Sequence, residues 1–271
     1  MANLPILNSI DVIRKQYPTG EEPVLVMCSD MNFYMCKYIR HSASNQKLAC
    51  ELIGAKMAMV WRLNVPKISL VKIKSEHWPS FFVRPKTMTT MLGSRYLDAV
   101  EYVLPSTFDK LAKTSEMFNQ LLKIALFDLW MANEDRNSNN SNLLYDISNK
   151  SLVPIDFGCI LNTADFQSPL MQLTATDTII NSPLFKYLSN GISSQGIQKV
   201  KDDLQKSYAI FLNQCRSQID AISKEIPSDW SISAKDVTNK LLQLFEPAWT
   251  ERVWDNFEEY LNDNLLEKWK N

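Results

Sequence analysis

The apolar positions of the chain change period near residue 105. Upstream, Pro23–Cys28 and Met31–Ile39 are β-rich runs separated by Ser29-Asp30, a hairpin signal. In the second run Phe33, Met35 and Lys37 fall on one face and Tyr34, Cys36 and Tyr38 on the other, by the two-residue period of a strand. Ser42 to Asn45 can start a helix in which Leu48, Leu52, Ala55, Met59 and Leu63 recur every three or four residues, and Asn64-Val65-Pro66 stops it. Lys67 to Lys74 alternates again, and Phe81-Phe82-Val83 is a further short strand candidate.

After Pro105, Ser106 or Thr107 can cap a long helix with the apolar face Leu111, Phe118, Leu122, Ala125 and Leu129. A polar loop dense in asparagine, Asn133–Asn142, follows, and then two short apolar runs, Leu143–Tyr145 and Leu152–Ile155. The remainder is helical. Ile197, Val200, Leu204, Phe211, Cys215, Ile219 and Ile222 form one stripe, Ser233 with Asp236 resembles a capping box, and Val253, Phe257, Leu261, Leu265 and Trp269 stripe the last helix. The pattern predicts an α+β fold of two lobes: a small β-rich lobe over 1–92 with one helix, a connection over 93–107, and a larger, mainly helical lobe over 108–271.

Composition narrows the chemistry. With 271 residues and 45% apolar side chains, the chain can build a real core. Only 6 residues are glycine and 2 are histidine, which disfavours a dense glycine phosphate loop and nearly excludes a multi-histidine metal centre. Cys28, Cys36, Cys50, Cys159 and Cys215 form no C-x-x-C pair, which argues for reduced cytosolic thiols over a disulfide framework or structural zinc. The N-terminus shows no signal peptide, and the most apolar run, Leu121–Ala132, is too short to span a bilayer and is broken by Lys123 and Asp128. A soluble, cytoplasmic protein is expected. The formal net charge of −1 hides an asymmetry: 11 Lys/Arg against 2 acidic residues from Lys37 to Arg95, and 7 acidic against 2 basic from Glu246 to Trp269. Such runs are solvated faces, or the first is an anion-facing surface for nucleotide phosphates, nucleic acid or an anionic lipid.

The candidate chemistry lies in Asn133-Glu134-Asp135-Arg136-Asn137-Ser138-Asn139-Asn140-Ser141-Asn142, followed by Pro154-Ile155-Asp156-Phe157-Gly158. A carboxylate on a loop after a buried helix can accept a hydroxyl proton, and an amide oxygen five residues later can reach a divalent cation. A second carboxylate beyond the next hairpin can close on the same cation, since Mg²⁺ prefers oxygen ligands and is commonly shared with substrate phosphates. Asp135, Asn140 and Asp156 supply the groups that phosphoryl transfer needs, in the order it needs them.

With these motifs the chain resembles the protein-kinase-like superfamily, most closely the compact HipA-like kinases and more distantly the phosphatidylinositol kinases. The resemblance is carried in order by Met35-Cys36-Lys37, Ala49-Cys50-Glu51-Leu52, Leu63-Asn64-Val65-Pro66, Gly93-Ser94-Arg95-Tyr96-Leu97, Phe127-Asp128-Leu129-Trp130 and the two loops above, over about residues 20 to 160. It implies a protein-kinase-like two-lobed fold and an ATP- and Mg²⁺-dependent phosphotransferase. Lys37 would hold the nucleotide phosphates with Glu51 as its ion-pair partner, and Gly20 would belong to a reduced phosphate loop at Thr19-Gly20, or that loop would lie at Ser29-Asp30. Asp135 would be the catalytic carboxylate, while Asn140 and Asp156 would be the metal ligands. Arg136 would steady the loop or contact phosphate, Asp128 would hold the loop by hydrogen bonds, Phe157 and Trp130 would be core, and Leu92–Tyr96 would border an adenine pocket. Asn137 stands where related loops often carry His. The acceptor implied is a Ser/Thr of a protein, either another protein or the chain itself by autophosphorylation. A phosphatidylinositol-type lipid kinase and a pseudokinase acting as a binding module are the alternatives, and an antitoxin-like partner follows from the family alone.

Overall fold

The computed structural model describes residues 3–40, 44–82, 85 and 88–268. The N-terminal part is a six-stranded sheet in the order β1 (Ile6–Asn8), β5 (Ile68–Lys72), β6 (Met91–Arg95), β4 (Phe33–Lys37), β3 (Val24–Met27), β2 (Lys15–Gln16). β1 and β5 are parallel and the other neighbours antiparallel. The two-residue alternation sorts the sheet into faces. Val24, Val26, Tyr34 and Cys36 join Ile13, Tyr38, Val71, Trp78 and Met91 in a small core on one side, leaving Met35 and Lys37 for the other. Gly93 sits in the middle of the sheet because a Cβ there would come within 2.8 Å of Val71 Cγ2 and 3.1 Å of Tyr34 Cβ.

Helix α1 (Ser44–Val60) packs between this sheet and the C-terminal helices, so it is buried well beyond the predicted stripe: Ala49, Cys50, Ile53, Met57 and Ala58 are inside as well. The predicted cap residues Ser42 and Ala43 lie outside the described residues, as do Val83 of the proposed third strand and Trp269 of the last stripe. Phe81 and Phe82 form a turn and a bend instead of a strand, and Phe81 is 81% exposed. Three apolar residues in a row supply β-propensity, but among the described residues neither Phe81 nor Phe82 belongs to a strand.

The long helix α2 spans Ser115–Met131, later than the cap at Ser106 or Thr107 requires. The Thr114 hydroxyl accepts from Met117 N at 3.2 Å and caps α2, whereas Thr107 closes a 3₁₀ stretch over Pro105–Lys110. Two capping hydroxyls precede the same apolar face, and periodicity cannot choose between them. β6 runs across the lobe boundary expected at residue 92, and β7 (Val100–Tyr102), inside the expected connection, pairs with the hairpin β8 (Leu143–Asp146) and β9 (Ser151–Pro154) in a three-stranded sheet. The backbone that links the two sheets is therefore the stretch 96–99.

The rest is helical: α3 (Ile160–Ala164, a single turn), α4 (Pro183–Ser189), α5 (Ser194–Arg216), α6 (Ile219–Glu225), α7 (Ala234–Gln243) and α8 (Pro247–Lys268). No helix among the described residues is long and apolar enough to cross a membrane. The main core gathers aromatic side chains around Trp61, which stacks on Trp130 at 5.3 Å and Phe211 at 5.2 Å and meets Phe127 edge-on. Polar ties fasten α1 and the start of β6 to the C-terminal helices. Lys56 Nζ meets Glu225 Oε2 at 2.6 Å, Trp230 Nε1 donates to Thr90 O at 2.6 Å, and Thr90 N donates to Asp229 Oδ2 at 2.7 Å. The helix that carries Glu51 is thus held from both sides.

Candidate active site

A cleft of about 620 Å³ opens between the two sheets, within the roughly 300–1,000 Å³ of small-molecule sites. Met35, Ala55, Val65, Ile68, Leu92, Leu144 and Ile155 give it apolar walls suited to a flat ring. Lys37, Glu51, Asp135, Asn142 and Asp156 line its polar end.

Lys37 ends β4 on the cleft face and reaches two carboxylates. Its ammonium donates to Glu51 Oε1 and, at 3.0 Å, to Asp156 Oδ1. The other Glu51 oxygen accepts from Phe157 N at 3.0 Å, so one carboxylate ties β4, α1 and the Asp-Phe-Gly turn together. Burial works against a charged Lys37, but Glu51 and Asp156 overcome it and hold the ammonium well above its ordinary range. Burial lifts the Glu51 carboxyl upward against the pull of Lys37. Asp156 is held low: Lys37 and the hydrogen bonds on its carboxylate outweigh burial. Two acids around one ammonium are thereby driven apart in proton affinity.

The Asp-Phe-Gly turn is shaped by close packing. Asp156 has a positive φ of 60°. Phe157 presses so close on α1 that a Cβ at Gly54 would lie 2.4 Å from Phe157 Cβ, which explains a glycine in mid-helix.

The loop 133–142 is pinned from within α2. Asp128 is buried and accepts from Asn133 Nδ2 and Arg136 Nε, each at 2.8 Å, while Arg136 Nη1 donates to the carbonyls of Ser141 and Asn142. Arg136 is 0% exposed and lies off the cleft wall, so the guanidinium steadies the loop and is not presented to a phosphate. Asp135 and Asn142 line the cleft together, with Asn142 Nδ2 donating to Asp135 Oδ2 at 3.0 Å. Asn140, the amide expected from the five-residue spacing, is instead exposed and lines no part of the cleft. The loop is two residues longer than that spacing assumes, and the amide that faces inward is the one immediately before Leu143, where β8 begins. That position, an asparagine at the entry of a strand, was the available signal for Asn142.

Beyond the Asp-Phe-Gly turn, Leu161, Asn162, Thr163 and Ala164 all have positive φ, between 54° and 64°. Left-handed backbone costs roughly 1–2 kcal/mol per L-residue, so it must be held. Glu134 holds it, accepting from Asn162 Nδ2 at 2.9 Å and from the Thr163 hydroxyl, while Asn162 N donates to Ala132 O. Glu134, next to Asp135, was not singled out in the sequence because nothing local marks its distant partners.

Gly20 lies in the loop between β2 and β3; Tyr17, Thr19, Gly20, Glu21 and Pro23 of that loop line the cleft. Gly20 O accepts from Arg40 Nη1 at 3.1 Å. Ser29-Asp30 is the far turn between β3 and β4 and does not line it. Leu92, Ser94, Arg95 and Tyr96 border the apolar end. Among the described residues no cluster of three His, Cys, Asp or Glu side chains could hold a metal ion. One carboxylate and one amide, with phosphate oxygens completing the shell, is the donor set Mg²⁺ accepts, and Asp156 with Asn142 fits it.

Comparison with known proteins bears on the fold and the family. No curated protein matches the sequence. Among solved structures the chain is similar to the Helicobacter pylori proinflammatory kinase CtkA, with a TM-score of 0.58 and 13% identity over 96% of this chain and 99% of that one. It is also similar to HipA of Shewanella oneidensis, solved with HipB and its operator DNA, at 14% identity over 91% of this chain and 64% of that one; a TM-score of 0.33 carries no structural argument. The model of the HipA-like kinases matches residues 10–258, from before β2 to within α8 and so across the whole cleft, and the chain belongs to the HipA-like kinase family.

Proposed function

We propose that the protein transfers the terminal phosphoryl group of ATP, with Mg²⁺, to a Ser or Thr hydroxyl of a protein. The observation that carries this is that the Asp135–Asn142 pair and the Lys37–Glu51–Asp156 cluster line the same cleft. Lys37 binds the inner phosphates, and Glu51 keeps it aimed. Asp135 orients the acceptor hydroxyl and takes its proton as the oxygen bonds to phosphorus and the bond to ADP breaks. Asn142 and Asp156 would hold Mg²⁺, which when bound would neutralise charge on the transferring phosphoryl group.

A protein acceptor is the reading that membership of the HipA-like kinase family supports, with a lipid as the alternative. The charge of the basic N-terminal segment does not choose between them: Lys37 and Lys56 are engaged in ion pairs with Glu51 and Glu225, whereas Arg62, Lys67, Lys72 and Lys74 are exposed. Incubation of lysate with γ-labelled ATP, followed by separate protein and lipid extraction, tests this. Label in the protein fraction is expected, and label confined to lipid would reverse the assignment.

The metal ligands are tested by thermal shift. Saturation to about 100 times Kd stabilises a protein by about 2.7 kcal/mol. Asn142→Ala is expected to lose the Mg²⁺-dependent part of the ATP shift and Asn140→Ala to keep it; the opposite result would restore the five-residue spacing.

Cys159 reports on occupancy of the cleft. It lines the cleft and is partly exposed, whereas the other four cysteines are buried. Burial, reinforced by Asp135, pushes its thiol up to about 11, so little thiolate exists at pH 7. Iodoacetamide is expected to modify Cys159 alone, slowly, at a rate that climbs about tenfold per pH unit up to that value, since each unit below a pKa cuts the ionised fraction about tenfold. ATP with Mg²⁺ should protect it, as read by peptide mass spectrometry.

A further inference from the structure

Helix α1 presents two charged groups to the cleft one turn apart, Lys47 and Glu51. Glu51 is fully engaged by Lys37 and by Phe157 N. Lys47 is not. Its side chain is 36% exposed, and its one ion pair is a loose contact of 3.6 Å with Glu21 Oε1, on the loop beside Gly20. The neighbouring acid is held more firmly, Glu22 Oε2 lying 3.0 Å from Arg40 Nη2. One side of the phosphate-side loop is thus fastened, and the side over Lys47 is free to change partner.

Carboxylates outnumber ammonium groups at the polar end. Lys37 lies between two carboxylates, and Asp135 adds a third. Among the described residues the remaining cations on the cleft wall are Lys47 and Arg95, and Arg95 Nη2 is committed to Asn32 Oδ1 at 2.7 Å. Lys47 lines the same cleft as Asp135, Asp156, Glu51 and Cys159.

We infer that Lys47 is a second phosphate-binding cation, which exchanges Glu21 for the terminal phosphoryl group of a nucleoside triphosphate. The inference rests on the nucleotide reading of the cleft. Lys37, enclosed by Glu51 and Asp156, then serves the inner phosphates, and Lys47, at the mouth beside the loop, serves the outermost one. Two consequences distinguish this role from general attraction. Lys47 separates triphosphate from diphosphate, because only the former has the group it contacts. Glu21 competes with the ligand for the same ammonium, so its removal strengthens binding.

The test is the affinity of the full chain for ATP and for ADP, each with Mg²⁺, by calorimetry. Lys47→Gln is expected to weaken ATP by about tenfold, in keeping with the loss of a charged hydrogen bond, and to leave ADP within about twofold. Lys47→Arg should keep most of the ATP affinity, and Glu21→Gln should tighten ATP but not ADP. Melting temperatures of all three variants should match wild type, since the pair they alter is half-exposed and loose. Equal weakening of ATP and ADP by Lys47→Gln, or no weakening of either, overturns the role of Lys47 while leaving the nucleotide site intact. Failure of wild type to bind ATP at all would remove the nucleotide reading and the inference together.

Discussion

Asp135→Asn is expected to reduce phosphoryl transfer by about 10²- to 10⁴-fold, the usual contribution of a positioned acid or base, and to leave ATP affinity and melting temperature near wild type. The expectation follows from what Asp135 touches. It lines the cleft, and its carboxylate accepts from Asn142 Nδ2 at 3.0 Å, a contact that an amide in its place can reproduce with little rearrangement. Single-turnover transfer from γ-labelled ATP measures the chemical step directly. Full turnover by the variant would show that proton removal from the acceptor lies elsewhere.

Asp128→Ala is expected to destabilise the protein by about 3–5 kcal/mol, the cost of stranding one partner of a buried ion pair. Arg136 is 0% exposed, and its Nη2 has no hydrogen-bond partner among the described residues, so removal of Asp128 leaves the guanidinium without its counter-charge and without water. Against a total stability of roughly 5–15 kcal/mol, such a loss is large. Urea denaturation gives the value. The double variant Asp128→Leu with Arg136→Met should recover much of it, because two apolar groups need no pairing. Activity should not return with stability, since the carbonyls of Ser141 and Asn142 would have lost the donor that sets Asn142 beside Asp135.

These two residues illustrate how unevenly the site was legible. Asp128 was assigned to holding the loop because it interrupts an apolar helix face just before a polar loop, and local spacing is enough to find a buried acid of that kind. Lys37, Glu51, Asp135 and Asp156 stand out as an ordered series across 119 residues, although the ion pairs that join Lys37 to Glu51 and Asp156 are contacts that no local pattern contains. Arg136 takes the loop-steadying one of its two readings, and Asn140 lies off the cleft, for one physical reason. A loop of alternating Asn and Ser has no periodicity, so the direction of each side chain is set by what the loop is tied to: the Asp128 carboxylate beneath and β8 after it.

Element by element, the chain's own pattern determined the strand pair β3–β4, helices α1 and α5, and the hairpin β8–β9, because burial of one face imposes a period of 2 or 3.6 on the residues themselves. β1, β2 and β7 are two or three residues long, too short for any period, and only partner strands make them strands. β6 carries a glycine and a serine where a strand signal should be, and the close approach of Val71 and Tyr34 is what requires the glycine, Gly93. The sequence by itself therefore determined the two-lobed order and the chemical groups of the cleft. Only the tertiary structure decided which asparagine faces Asp135, that Arg136 is buried, that Glu134 holds the backbone beyond the Asp-Phe-Gly turn, and that Lys47 lines the cleft. Those choices depend on distances between residues far apart in the chain, and packing sets such distances where local propensity does not.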